Sequence, residues 1–210
     1  MDLENIFEEL LEYWKISLPN LKFVKEKVLN DLIEFTNQRI ASHLDELSIS
    51  KDLIKATCFI DPNIEKRIIN ILDLKNRISI IEQLKKRSDF SEIQKVISRV
   101  SKLAESGDLK TTIFSYKFYV NPDLFEKECE KKVFQFIKEL EEIIKIPNWD
   151  YFQLYSLFES NSNNLNELFD NEKGVLMMAE NSELRNNRLN LLGLIRNYSL
   201  KLADFTLFNS

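Results

Sequence analysis

The clearest hydrophobic pattern in the chain lies in its last quarter, residues 165–208. After the pair Asn181–Ser182, side chains of one stripe recur at alternating steps of four and three. This spacing is that of one face of an α-helix, and asparagine or serine before such a stripe is a typical N-cap. The pattern therefore predicts one long helix from residue 182 to the C-terminus. Its stripe consists of Leu184, Arg188, Leu191, Ile195, Tyr198, Leu202 and Phe205.

Similar helical spacing recurs along most of the chain. Asp61–Pro62 and Asn121–Pro122 are typical helix starts, Asp89 and Glu92 are spaced like a capping box, and Pro147–Asn148 also predicts a start. Residues 160–164 are polar and predict a loop. The predicted helices span residues 2–17, 22–47, 51–58, 61–87, 90–105, 121–145 and 149–159.

One segment does not fit the helical pattern. Residues 111–120 are rich in β-branched and aromatic side chains, which favours a strand. The chain offers no second strand, and a lone strand is not stable, so we expect an extended connector. The rings of Phe114, Tyr116 and Phe118 could stack on nucleobases or pack against helices, and packing is the favoured interpretation.

Composition sets the fold class. Of 210 residues, 44% are hydrophobic and 30% are charged, with only three glycines and four prolines. Few helix breakers and a core-forming apolar fraction predict an all-α protein, a multi-helix bundle. We expect it to be cytoplasmic and without a membrane-spanning segment.

Charge is distributed unevenly, although the net charge is −5. Residues 75–102 and 182–201 are basic segments within an acidic body. Such segments either contact phosphates or are solvated helix faces. On the 90–105 helix the basic side chains are Lys95, Arg99 and Lys102, and on the last helix Arg185, Arg188 and Arg196 lie beside the apolar stripe.

Candidate catalytic chemistry is sparse. His43 is the only histidine, and Cys58 and Cys129 lie far apart with no second cysteine nearby. A single isolated histidine does not support a nucleophile–base pair or a metal cluster, and three scattered glycines do not form a phosphate-cradling loop. We therefore expect no catalytic site and no cofactor in this chain.

Three blocks of the chain carry recognisable strings of residues. They are K-V-I-S-R-V-S-K-L within Ile80–Leu103, the segment V-N-P-D-L-F-E-K-E-C-E-K-K-V at Val120–Val133, and the Leu165–Phe208 unit with F-D-N, V-L-M-M-A-E, S-E-L-R-N-N-R-L-N-L-L and L-A-D-F. In this order the blocks resemble the C-terminal portion of the bacterial glycyl-tRNA synthetase beta subunit. An extra Glu172–Lys173–Gly174 departs from the family pattern. Asp170, just before it, is expected to act as a cap or an arginine partner, because a carboxylate repels phosphate.

The resemblance implies a helical linker or body region over residues 1–88 and a DALR-type, all-helical anticodon-binding domain over 89–210. It implies recognition of glycine tRNA in support of glycine attachment, with the alpha subunit and the rest of the beta subunit as partners and neither DNA nor membrane. The resemblance implies that the parent enzyme is a glycine–tRNA ligase that uses ATP and Mg²⁺. This chain is expected to carry no catalytic site of its own, so the resemblance leaves open whether it counts as an enzyme. The residues expected to contact tRNA are Lys95, Arg99, Lys102, Arg185, Asn186, Arg188 and Arg196.

A second interpretation is a non-catalytic helical module that holds subunits together, through the acidic 121–145 helix and the 2–17 helix. The two interpretations differ in where the basic side chains of the 90–105 helix and of the last helix lie, which we call the two basic stripes. If both stripes lie on one surface, RNA recognition is favoured. If they face different directions, the interaction module is favoured.

Overall fold

The computed structural model describes residues 3–58 and 70–208, and within these ranges the chain forms helices and loops with no strand. The all-α prediction is confirmed. The α-helices are α1 (Leu3–Ser17), α2 (Lys25–Glu46), α3 (Lys51–Cys58), α4 (Ile71–Lys85), α5 (Phe90–Ala104), α6 (Glu128–Lys145), α7 (Tyr151–Ser160), α8 (Ser162–Glu167) and α9 (Ser182–Leu200). Short 3₁₀ turns occur at Pro122–Leu124 and Phe205–Leu207.

Helices α5 and α9 form the centre of the bundle. They pack against each other along their apolar faces, and Ile97, Val100, Leu192 and Ile195 are buried between the surrounding elements. Helix α6 packs on α9 and α8 packs on α5, and α7 packs on α6 and α8. The core continues into α3 and α4, so buried contacts cross residue 88. The predicted domain boundary at that residue stays a prediction.

Helices α1 and α2 pack against each other and reach the rest of the molecule through α3. Their sequences are amphipathic, yet among the described residues of this pair only Leu11 and Ile33 are buried. Tyr13, Trp14 and Phe35 are large exposed apolar side chains of the pair. None of the described helices is long and apolar enough to cross a membrane.

The prediction that the last helix reaches the C-terminus is wrong. Helix α9 ends at Leu200, because the backbone turns there with Leu202 and Ala203 N–H donating to Ser199 O. The Asp204 N–H then donates to Ala56 O at 2.8 Å. This turn lets the Phe205 and Phe208 rings pack on Phe90 of α5, and all three rings are buried there.

Helix starts were predicted less well than helices. Asp89 bonds to Arg87 and makes no side-chain cap, so the predicted capping box is absent. Asn121–Pro122 starts a 3₁₀ turn only, and Asp150, rather than Pro147–Asn148, caps α7. Helix α8 forms where a loop was predicted. The predicted start at Asp61–Pro62 lies outside the described residues.

Candidate nucleic-acid interface

The outward face of α5 carries three cations. Apolar side chains at i, i+3, i+4, i+7 turn the other face into the core, as expected from the sequence. Lys95, Arg99 and Lys102 are exposed and line one shallow groove with Gln94, Ser98 and Leu103. We call Lys95, Arg99 and Lys102 the α5 basic face. Within residues 3–58 and 70–208 none of the three pairs with a carboxylate.

Arg99 is held in place by a ring rather than by an acid. Its guanidinium carbon lies 4.2 Å from the centre of the Phe169 ring, in a cation–π contact. A guanidinium stacked on a ring keeps its N–H groups directed along its own plane. Because no carboxylate pairs with Arg99 within the described residues, its N–H groups can donate to an acceptor such as a phosphate.

The second predicted basic stripe is not an exposed stripe. Arg188 is only 2% exposed and donates to Glu130 at 3.0 Å, Glu126 at 2.6 Å and the Leu176 carbonyl at 2.9 Å. Glu130 has no exposure, and its second oxygen accepts the backbone N–H groups of residues 126 and 127. Arg188 and Glu130 are both buried, whereas the Glu126 side chain is exposed and meets Arg188 from the surface. The structure thus places the Arg188 guanidinium inside the fold.

The other two arginines of α9 bind backbone carbonyls. Arg185 is partly exposed and donates to Ala179 O at 2.9 Å. Arg196 donates to Leu109 O at 2.6 Å and to the Asn197 side chain. Both therefore hold loops against α9, and the two predicted basic stripes do not form one exposed surface.

Three asparagines of α9 complete this arrangement, and sequence analysis missed all of them. Asn187 accepts the Asn121 N–H at 2.7 Å and donates to the Asn121 carbonyl at 3.0 Å. Asn190 donates to Tyr119 O at 2.7 Å, and Asn197 donates to the Lys110 and Ile113 carbonyls. Their signal was available, because spacing at i, i+3, i+10 places three amides on one side of a helix.

These amides clamp the segment 105–127, which we call the connector. Residues 111–120 within it form neither a strand nor a helix, as expected, but the backbone is interrupted by turns rather than extended throughout. Phe114 packs edge-on against Tyr198, whose hydroxyl donates to the Phe114 carbonyl, and the Tyr116 ring packs edge-on against Phe134. Lys201 lies over the Phe114 ring, and burial lowers the pKa of its ammonium group. Two of the three rings considered for base stacking are thus packing residues.

Phe118 differs from its neighbours. Its relative exposure is 102%, and its φ of 69° lies in the left-handed region, which is strained for an aromatic residue. Beside it, Tyr119 and the predicted contact residue Asn186 line a small cleft on α9. Asn186 is exposed and makes no hydrogen bond within the described residues.

Asp170 acts as a cap, as expected. Its carboxylate accepts the backbone N–H groups of Glu172 and Lys173, and these bonds lower the pKa of Asp170. Gly174 closes the turn, because a Cβ there would lie 2.5 Å from two backbone oxygens. Lys127 donates to the carbonyls of Glu172 and Gly174, which fixes the turn on the start of α6.

The remaining candidate chemistry concerns metal ligands and the buried cysteine. Among residues 3–58 and 70–208, no three His, Cys, Asp or Glu side chains are placed to hold a metal ion. Cys129 is buried, and burial raises the pKa of its thiol, so it is a poor nucleophile.

Comparison with known proteins shows which proteins the chain is similar to. No family model matches the chain. The glycine–tRNA ligase beta subunit of Picosynechococcus sp. is 32% identical over 185 residues, which covers 86% of the chain. The chain is a partial match to the glycine–tRNA ligase beta subunit. The beta subunits of Gloeothece citriformis (32% identical over 186 residues, 86% of the chain) and Thermodesulfovibrio yellowstonii (27% over 188 residues, 88% of the chain) match it similarly.

The match to these glycine–tRNA ligase beta subunits is partial in length. It covers 26% of the Picosynechococcus and Gloeothece proteins and 25% of the Thermodesulfovibrio protein. The chain thus spans about a quarter of the length of the curated relatives it matches. The resemblance seen in the sequence is confirmed at the level of the beta subunit.

Proposed function

We propose that the chain is a tRNA-binding region of a glycine–tRNA ligase beta subunit, where it supports glycine attachment by holding the anticodon end of the tRNA. The observation that carries the proposal is its match to proteins named as that subunit, over 86% of the chain. These relatives are named as a subunit of a glycine–tRNA ligase. The α5 basic face offers exposed cations that can bind the phosphates of a tRNA. The described 89–208 region is proposed to be DALR-type.

The α5 basic face would bind the RNA backbone. Lys95, Arg99 and Lys102 are exposed cations without carboxylate partners in the described structure, and such cations bind phosphates in a salt-dependent way. Arg188 takes no part in this contact and acts inside the fold. Arg185 and Arg196 keep a proposed role only through the loops they hold.

The remaining partners are also proposals. The alpha subunit and the rest of the beta subunit would supply the aminoacylation site, with its ATP and Mg²⁺. This chain would contribute position and affinity, without chemistry of its own.

A titration with tRNA tests the proposal. The 210-residue chain is titrated with glycine tRNA and with an unrelated tRNA, at about 50 and 200 mM salt. We expect tighter binding of the glycine tRNA. Affinity falls with salt, so the slope of log affinity against log salt is negative. Replacing Lys95, Arg99 and Lys102 by glutamine should make this slope less steep by about two units, since each phosphate contact contributes about 0.7–0.9.

The matched control removes the same charge elsewhere. Lys15, Lys22 and Lys27 are exposed on the α1–α2 pair, and their replacement by glutamine should leave the salt slope within about half a unit of wild type. An equal loss in both triple variants would mean that only net charge matters. Absence of tRNA binding at the lower salt concentration would refute the proposal.

A subunit-interaction module is the second candidate, supported by a different observation. Tyr13, Trp14 and Phe35 are exposed on α1 and α2, and large exposed aromatic side chains are enriched at protein interfaces. Arg188 is buried and Arg185 and Arg196 donate to backbone carbonyls, which weakens the case for a two-helix RNA surface. The test is a pull-down of the alpha subunit with the wild-type chain and with Trp14→Ser. This function is favoured if the wild-type chain binds the alpha subunit, Trp14→Ser does not, and neither binds tRNA.

A further inference from the structure

We propose that Phe118 stacks on an unpaired base of a single-stranded RNA loop, and that the cleft beside it, lined by Tyr119 and Asn186, binds the edge of that base or of its neighbour. This inference rests on the proposed tRNA-binding function and deepens it. It assigns base contacts to the connector, whereas the α5 basic face binds phosphates.

The conformation of Phe118 is held in place by its surroundings. The backbone turns at this point, with the N–H groups of Tyr119 and Val120 both donating to Tyr116 O. Asn187 and Asn190 fix the next residues to α9, and Tyr116 is anchored on Phe134. A non-glycine residue at positive φ persists where neighbouring contacts over-determine the backbone. The turn thus presents the ring outward on a rigid base.

The ring has no packing role that explains it. Phe118 is fully exposed, whereas Phe114 and Tyr116 of the same segment are partly buried in aromatic contacts. Exposing an apolar ring at a strained position costs stability in the isolated chain. A planar partner would offset this cost, and every nucleobase offers a flat face for aromatic stacking.

The neighbouring cleft has the chemistry to bind the edge of a base. Its volume is about 220 Å³, which is smaller than typical drug-sized ligand pockets and suits one planar ring. The Asn186 amide offers both a donor and an acceptor, and Asp108, which also lines the cleft, can accept from an exocyclic amino group. The Asp108 carboxylate disfavours phosphate inside the cleft, whereas Lys117, which precedes Phe118 in the chain, is an exposed cation.

The test uses the full 210-residue chain and glycine tRNA carrying 2-aminopurine at single positions of the anticodon loop. Stacking on Phe118 should quench this fluorophore at one position. Phe118→Leu keeps an apolar side chain and removes the ring, and it should weaken binding about tenfold (1.4 kcal/mol) and abolish the quenching. Phe118→Trp should restore both.

Controls separate this inference from the proposed function. Phe35→Leu removes another exposed ring, on α2, and should bind like wild type. If Phe118→Leu also binds and quenches like wild type, the inference is overturned while tRNA binding stands. If the wild-type chain binds no tRNA at low salt, the proposed function fails and the inference fails with it.

Discussion

Arg188 and Glu130 form an ion pair that is buried on both sides, with Arg188 Nε 3.0 Å from a Glu130 carboxylate oxygen. The two residues lie 58 positions apart. Arg188 belongs to the polar run of α9, and Glu130 lies in the first turn of α6. The pair fixes the end of the connector to the central helix, so it sets where the connector can run.

Removal of Arg188 should strongly destabilise the fold. Arg188→Ala would leave the Glu130 carboxylate buried without its cation, and breaking a buried pair in this way costs about 3–5 kcal/mol. Urea unfolding followed by circular dichroism measures the loss. Arg185→Ala is the matched control, since it removes one partly exposed hydrogen bond and should cost about 1 kcal/mol. Equal stabilities of the two variants would contradict a structural role for the pair.

Removal of the Asn187 amide should loosen the connector locally. Asn187→Ala leaves both the N–H and the carbonyl of Asn121 without their partner, which should cost about 1–3 kcal/mol. Hydrogen exchange of the Asn121 amide should accelerate in this variant. In Asn186→Ala, which changes the adjacent exposed side chain, stability should stay within about 0.5 kcal/mol of wild type. Slow exchange at Asn121 in Asn187→Ala would show that other contacts hold the connector.

Substitutions at Phe118 should reveal the backbone strain. Glycine adopts positive φ without steric cost, whereas alanine does not. Phe118→Gly should therefore be more stable than Phe118→Ala by about 1 kcal/mol, measured by thermal unfolding. The comparison removes the ring in both variants, so the difference reports on the backbone alone. A higher stability of the alanine variant would mean that the turn relaxes away from φ 69°.

Acid should loosen the turn that Asp170 caps. Because the backbone N–H groups of Lys173 and Glu172 lower the pKa of Asp170, its ionised form stabilises the turn above the ordinary aspartate pKa. That stabilisation is lost as the pH falls through the lowered value. An NMR titration of the Asp170 carboxyl group should give a pKa below that of an unstructured aspartate. In Asp170→Asn the amide signals of Glu172 and Lys173 should no longer follow this titration, and a normal Asp170 pKa would contradict the cap.

The candidate site was predictable where side chains face away from the core. The apolar spacing of α5 sets its buried face, so Lys95, Arg99 and Lys102 had to point outward together. The same rule gave the wrong outcome for α9. Helix periodicity says which residues share a stripe, but α9 is surrounded by the connector and α6, so its polar flank is also covered.

By itself, the sequence determined that the chain is helical, roughly where most of the helices lie, and that it resembles a synthetase beta subunit. Those features depend on local spacing and on strings of residues. Only the tertiary structure decided that Arg188 meets Glu130, that asparagines clamp the connector, and that Phe118 alone of three rings faces solvent. The first two outcomes depend on contacts between residues about 60 or more positions apart, and the third depends on the packing of Phe114 and Tyr116 against other helices. A buried polar group must find its partner wherever the fold places one.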